Sequence, residues 1–134
     1  MTIYYPHKPT YHFDFLGDSL TTAFGVLSGR NPVCFLKMKH IQNCRESWAN
    51  HLASKFDASA RLMAVSGKGV LHNAYGVPGP KMGDLYSRIT DNSKAHSYQY
   101  QDGIIPDVMF YFIGSNDYSH PLGPDSPLFV NAYK

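Results

Sequence analysis

The segment Phe15-Leu16-Gly17-Asp18-Ser19-Leu20-Thr21 constrains the fold of this chain more than any other. A short β-prone run, His12 to Leu16, meets Gly17 and turns at once. The turn leaves one serine, Ser19, at the carboxyl end of a strand. Arg61 to Val65 reads as a second short strand and runs into Ser66-Gly67-Lys68-Gly69. A third apolar run, Asp107 to Ile113, ends in Gly114-Ser115-Asn116-Asp117. Within it, Val108 to Ile113 is unbroken, the pattern of a strand buried on both faces. Three polar turns, each at or near a strand end, point to one assembled site.

The stretches between them set the fold class. Asn43 through Phe56 reads as the main helix, with Asn43 as N-cap and Glu46 three residues on, as in a capping box. Trp48, Leu52 and Phe56, flanked by Ala49 and Ala53, form one apolar stripe. Leu20 to Leu27 can begin a helix that Gly25 and Gly29 cut short. Ser28 to Ile41 and Val77 to Gly83 read as loops. Met82 to Ile89 reads as a short helix, Asp91 to Gly103 as irregular, and Phe129 to Tyr133 as a helix start. Strands alternating with helices predict a parallel α/β sheet.

Composition narrows the function classes. With 134 residues, one domain is expected, and 43% apolar against 16% charged residues fits a globular chain. A formal net charge of +2 gives no footprint for nucleic acid. No stretch approaches the length of a membrane span. Met1 to Thr10 has no apolar h-region, so no signal peptide is read. Cys34 and Cys44 have no zinc spacing; a disulfide and two thiols both remain open. The ten tyrosines fit either a carbohydrate or peptide groove or packing at core edges.

Each turn has a chemical and a structural reading. A serine hydroxyl becomes a nucleophile only when a base takes its proton. Ser19 stands where open α/β sheets place ligands, though Gly-Asp-Ser is also good N-cap chemistry. Gly67 lets a backbone N–H approach a ligand with no Cβ in the way, or simply makes a flexible turn. Asn116 can donate a side-chain hydrogen bond to the same oxyanion, or close an Asx-turn on its own backbone. Asp18 and Asp117 are read as supports that order their turns.

In this order, each after a β-like segment, the three blocks resemble those of the SGNH (GDSL) hydrolase family. Further features resemble the catalytic domain of carbohydrate esterase family 2, the acetyl-xylan-esterase-like branch. These are Ser47-Trp48-Ala49, Ser66-Gly67-Lys68-Gly69-Val70 followed by Asn73, and Pro106-Asp107-Val108 leading into Ile113-Gly114-Ser115-Asn116-Asp117-Tyr118-Ser119. The resemblance covers roughly residues 12 to 120. It implies a three-layer α/β/α, flavodoxin-like parallel sheet. The division is then residues 1–11 as an amino-terminal segment and 12–134 as a partial hydrolase domain. It implies Ser19 as nucleophile, with the Gly67 N–H, the Asn116 side chain and the Ser19 N–H as oxyanion donors. The reaction implied is hydrolysis of acyl esters, chiefly acetyl esters on sugars such as xylan, with no cofactor or metal.

One part of the family's machinery is missing. The family base is a histidine in an Asp-x-x-His motif, past two further strands after the Asn block. His120 is the sole histidine beyond Asn116, and it falls inside Asp117-Tyr118-Ser119-His120, too early for that motif. None of His7, His12, His40, His51, His72 and His96 matches the base either. The reading is therefore an incomplete sheet with an exposed apolar edge, and a serine esterase whose base is not in view. Two alternatives stand beside it: an inactive or sugar-binding relic, and a lipase or thioesterase.

Overall fold

Three parallel strands carry the structure. They are β1 (Tyr11–Gly17), β2 (Ala58–Ala64) and β3 (Val108–Phe112), in the order β2-β1-β3. This is a computed structural model, and it describes residues 7–29, 38–86, 105–119 and 125–134. Parallel neighbours cannot be joined by a tight hairpin, so the chain crosses over between them. The first crossover carries α1 (Met38–Ile41) and α2 (Trp48–Lys55); α3 (Met82–Leu85) follows β2 and α4 (Pro127–Tyr133) follows β3.

The period of two along β1 sorts its side chains between two faces. Phe13 and Phe15 turn toward α2 and form the core with Ala49 and Ala53. Phe15 is fully buried, stacked on Phe110 at 4.8 Å between ring centres and meeting Trp48 edge-on at 5.3 Å. The small alanines on α2 let the helix lie close to these rings. On the opposite face Asp14 forms a hydrogen-bonded ion pair with Arg61 across the β1–β2 pair. Farther along that face a groove of about 490 Å³ is lined by Leu16, Met82, Tyr111, Ile113 and Tyr133.

The amino end of β1 is pinned by Asp57, which sits in the left-handed region at φ 52° just before β2. Its carbonyl accepts the Thr10 N–H at 2.8 Å, and its carboxylate accepts the Thr10 hydroxyl at 2.6 Å and meets His7 Nε2 at 2.7 Å. The Thr10 hydroxyl first, and His7 second, hold this carboxyl below the ordinary value of 3.8.

The parallel α/β reading matches the observed sheet, and several local readings change: β2 begins at Ala58 rather than Arg61, and the end of the stretch read as a loop, Met38–Ile41, is the helix α1. The main helix starts at Trp48, not Asn43. Asn43 instead caps a separate 3₁₀ turn, Cys44–Glu46, by accepting the Arg45 N–H. Ser47 then takes an extended conformation (φ −77°, ψ 153°) and its hydroxyl accepts the Asn50 N–H, so it is the true cap of α2. Two capping residues four apart compete, and the second begins the longer helix. Leu20–Leu27 forms successive turns rather than a helix, because Ala23 and Gly25 both adopt positive φ. Finally, β3 is not buried on both faces: Tyr111 is 53% and Phe112 50% exposed. Among the described residues β3 pairs on one side only. Asp91–Gly103 and the Cys34 partner of the open disulfide question lie outside the described residues; Cys44 is exposed.

Phe15→Ala should lower unfolding stability by about 3–5 kcal/mol, measured by denaturant titration. Ser47→Ala should cost about 1 kcal/mol, and Asn43→Ala less. Asp57 gives a pH signature. Because its folded pKa is depressed, its contribution is present above the ordinary value of 3.8 and is lost as pH falls through the folded value. The gap in thermal midpoint between wild type and Asp57→Asn should therefore close in acid below that point; a gap constant with pH contradicts the assignment.

Candidate active site

The register of the sheet aligns the three turns. Gly17, the last residue of β1, is paired with Ala64 on one side and Phe112 on the other. Each strand thus ends at the same level, and neighbouring strands lie about 4.8 Å apart. The Asp18-Ser19, Ser66-Gly67 and Gly114-Ser115-Asn116 turns leave one edge, with β1 central. The strand after β1 in sequence lies on one side of it and the third lies on the other. A crevice outside the carboxyl ends at such a reversal is the favoured ligand position in open α/β sheets.

Hydrogen bonds knit the turns to one another. Asp18 is almost fully buried. One carboxylate oxygen accepts the Leu20 N–H at 3.0 Å, and the other accepts the Ser115 hydroxyl at 2.7 Å. The first turn is thereby ordered and tied to the third. The Asn116 side-chain amide donates to the Lys68 carbonyl at 2.7 Å, which ties the third turn to the second. This is not an Asx-turn, since the partner belongs to the Ser66–Gly69 segment. Thr22 Oγ1 lies 2.9 Å from Ser66 Oγ, closing the ring between first and second. Gly17 has to be glycine here: a Cβ would stand 2.1 Å from Thr21 Oγ1.

Asp117 supports a different segment from the one it sits in. Fully buried, it accepts the N–H groups of Val70, Leu71 and His72 at 2.7–2.9 Å. It therefore holds the loop that follows Gly69. A Cβ on Gly69 would lie 2.0 Å from the His72 carbonyl and 2.6 Å from an Asp117 carboxylate oxygen, so the loop closes over a glycine. Asn73 completes the frame by donating to the Val77 carbonyl at 3.0 Å.

What the scaffold leaves open is as informative. Neither the Ser19 hydroxyl nor the Ser19 and Gly67 N–H groups has a hydrogen-bond partner among the described residues. Gly67 has φ 82°, a conformation that favours glycine. Asn116 uses one amide proton on Lys68 and keeps a second. No histidine hydrogen-bonds Ser19 among the described residues: His7 is engaged with Asp57, His12 with Ser59, and His51 lies 3.9 Å from Glu46. His96 and His120 lie outside the described residues. Asp117, the acidic residue three before His120, is committed to the Val70–His72 amides. No group of three or more metal-ligating side chains occurs among the described residues. No helix there is long and apolar enough to cross a membrane.

The chain belongs to the GDSL-like lipase/acylhydrolase family, whose model matches residues 15–133. Its α/β sheet is the fold of family two carbohydrate esterases. The enzyme from Clostridium thermocellum, solved in complex with cellohexaose, superposes with a TM-score of 0.81 at 29% identity, over 98% of this chain and 39% of that one. The enzyme from Cellvibrio japonicus gives 0.81 at 27% identity, over 96% of this chain and 37% of that one. A curated relative, the cellulase/esterase CelE of Acetivibrio thermocellus, is 32% identical over 121 residues, 90% of this chain and 14% of CelE. The chain thus spans well under half the length of these relatives.

The sequence reading did not single out Thr22, Gln42 or Tyr75. Thr22 follows Ser19 by three residues, a spacing that a turn brings together. Gln42 and Tyr75 carry no local signal, because their roles arise only from partners 20 or more residues away.

Asp117→Ala removes the carboxylate that accepts three backbone amides, and it should cost about 3 kcal/mol or more in denaturant unfolding. Gly69→Ala should be similarly harmful, since the clash is with backbone. Wild-type-like stability in either would show that the loop is held by something else.

Proposed function

We propose that the cleft at the carboxyl edge of the sheet is that of a serine esterase acting on acetyl esters of a plant polysaccharide such as xylan. The observation that carries this reading is the hydrogen-bonded ring of three turns, on which the Ser19 hydroxyl and the Gly67 N–H have no hydrogen-bond partner among the described residues. A rigid frame that leaves a hydroxyl and several donors unused is the arrangement acyl transfer needs.

In this reading Ser19 Oγ attacks the acetyl carbonyl and the carbonyl oxygen becomes an alkoxide. The N–H groups of Gly67 and Ser19 and the free amide proton of Asn116 donate to it. Collapse expels the sugar hydroxyl, and water then releases acetate from Ser19. The attack needs a base for the serine proton. Without one, binding and the oxyanion donors leave roughly 10³–10⁴ over the reaction in water. These residues and their roles, with residues 12–134 as part of a hydrolase domain, are inferred from the family and from the ring.

A second reading, glycan binding by the same cleft, is favoured by Tyr75. Its ring is 79% exposed although its backbone sits at φ 55°, an unusual state for an aromatic residue. The Ser119 hydroxyl accepts the Tyr75 N–H at 3.0 Å and itself donates to the Asn116 carbonyl at 2.6 Å. An exposed ring is thus fastened to the same turn that carries Asn116, where it can stack on a sugar. The family two relative from Clostridium thermocellum was solved in complex with cellohexaose.

The readings separate by measurement. Acetate release from acetylated xylo-oligosaccharides, followed by NMR with added imidazole as external base, should be lost in Ser19→Ala and fall about 10²–10³-fold in Asn116→Ala. Release unchanged by Ser19→Ala sinks the esterase reading. Calorimetric binding of cellohexaose that Tyr75→Ala abolishes and Ser19→Ala spares supports the binding reading.

A further inference from the structure

A triangle of polar atoms joins the Ser19 turn to the Ser66-Gly67 turn. Thr22 Oγ1 lies 2.9 Å from Ser66 Oγ and 3.0 Å from Gln42 Oε1, and Ser66 Oγ lies 2.8 Å from the same amide oxygen. Thr22 Oγ1 also lies 3.1 Å from the Ser19 carbonyl. Four contacts therefore need four protons. With the amide oxygen at the vertex, only the two hydroxyl protons are on hand. Two contacts then always set bare lone pairs against each other at about 3 Å.

A half-turn of the Gln42 amide removes the deficit. Oxygen and nitrogen are sterically alike, and the network decides between them. With Nε2 at the vertex, its two protons go to Thr22 Oγ1 and Ser66 Oγ by bent bonds. The Ser66 hydroxyl then donates to Thr22, and the Thr22 hydroxyl donates to the Ser19 carbonyl. All four contacts are satisfied, and the other end of the amide, which has no partner among the described residues, loses nothing. The backbone on either side of Gln42 is held: the Ile41 carbonyl accepts the Leu27 N–H at 3.1 Å, and Asn43 caps the next turn.

We propose that Gln42 is a positioning residue that donates through both amide protons and fixes the Ser19 turn against the Ser66-Gly67 turn. The inference rests on the esterase reading, because what it positions is the nucleophile relative to the oxyanion donors. The hydrogen bonds of Gln42 go to Thr22 and Ser66, not to Ser19 Oγ, the Gly67 N–H or Asn116. It acts through a one-way chain of donors that ends on the carbonyl of Ser19 itself.

Two measurements test it. In ¹⁵N-labelled protein the Gln42 side-chain amide is identified by its disappearance in Gln42→Glu. Its protons should show cross-relaxation to the Thr22 methyl and the Ser66 β-protons, and slowed exchange with water. Freely exchanging protons near neither residue overturn the proposal. The second measurement titrates methylboronic acid by ¹¹B NMR. Ser19 Oγ adds to the trigonal boron, an O–B bond forms, the serine proton goes to solvent, and the tetrahedral anion occupies the oxyanion site. Ser19→Ala should give no adduct, and Gln42→Glu, of the same shape but without N–H donors, should bind about tenfold more weakly than wild type. Equal affinity in Gln42→Glu, with only a lowered melting temperature, reduces Gln42 to a structural bond and overturns the positioning role. A wild-type protein that forms no adduct removes the nucleophile reading and the positioning role with it, while the amide spectrum still reports which end of Gln42 faces the hydroxyls.

Discussion

The pairing of Gly17 with Ala64 and with Phe112 is the constraint from which the rest follows. It stops three strands at one level and sends three loops off the same edge. Everything chemical in the molecule is a consequence of where those loops start. The register is itself enforced from both faces, by the aromatic stack of Phe13, Phe15 and Phe110 against α2 and by the Asp14–Arg61 pair beneath. A slip by one residue would exchange the two faces and bury an aspartate among phenylalanine rings.

Buried carboxylates do the second part of the construction. Asp18 and Asp117 each reach out of their own turn to another: Asp18 to Ser115, and Asp117 to the Val70–His72 amides. An ionised carboxylate offers several acceptor sites at once, so one residue can gather donors that lie far apart in the chain. Such bonds are shielded here from competing water. They tie the three loops into a single body.

Much of this was legible from the residues. Strand ends marked by Gly-Asp-Ser, Ser-Gly and Gly-Ser-Asn are short-range signals, and a parallel sheet follows from their alternation with helical stretches. What escaped was non-local. Nothing around Asn43 shows that Ser47 will take an extended conformation and become the cap. The continuous apolar run of β3 reads as buried, yet burial depends on what lies over the strand. Asp117 reads as a residue serving its own turn, and an Asx-turn is the local one of the two readings open to Asn116. Their actual partners lie 45 or more residues away, and no window of sequence contains both. The same holds for Gln42, whose meaning depends on two hydroxyls from two other segments.

The sheet has a working end and an anchored end, and they point in opposite directions. Ser19, Gly67 and Asn116 leave the carboxyl edge, whereas the exposed His7 and Asp57 sit at the amino edge, at the far end of seven-residue β1. The amino end of β1 lies on the order of 20 Å from Ser19, at the rise of an extended strand. A bead or a sensor surface coupled to the amino edge therefore leaves the three loops at the other edge uncovered.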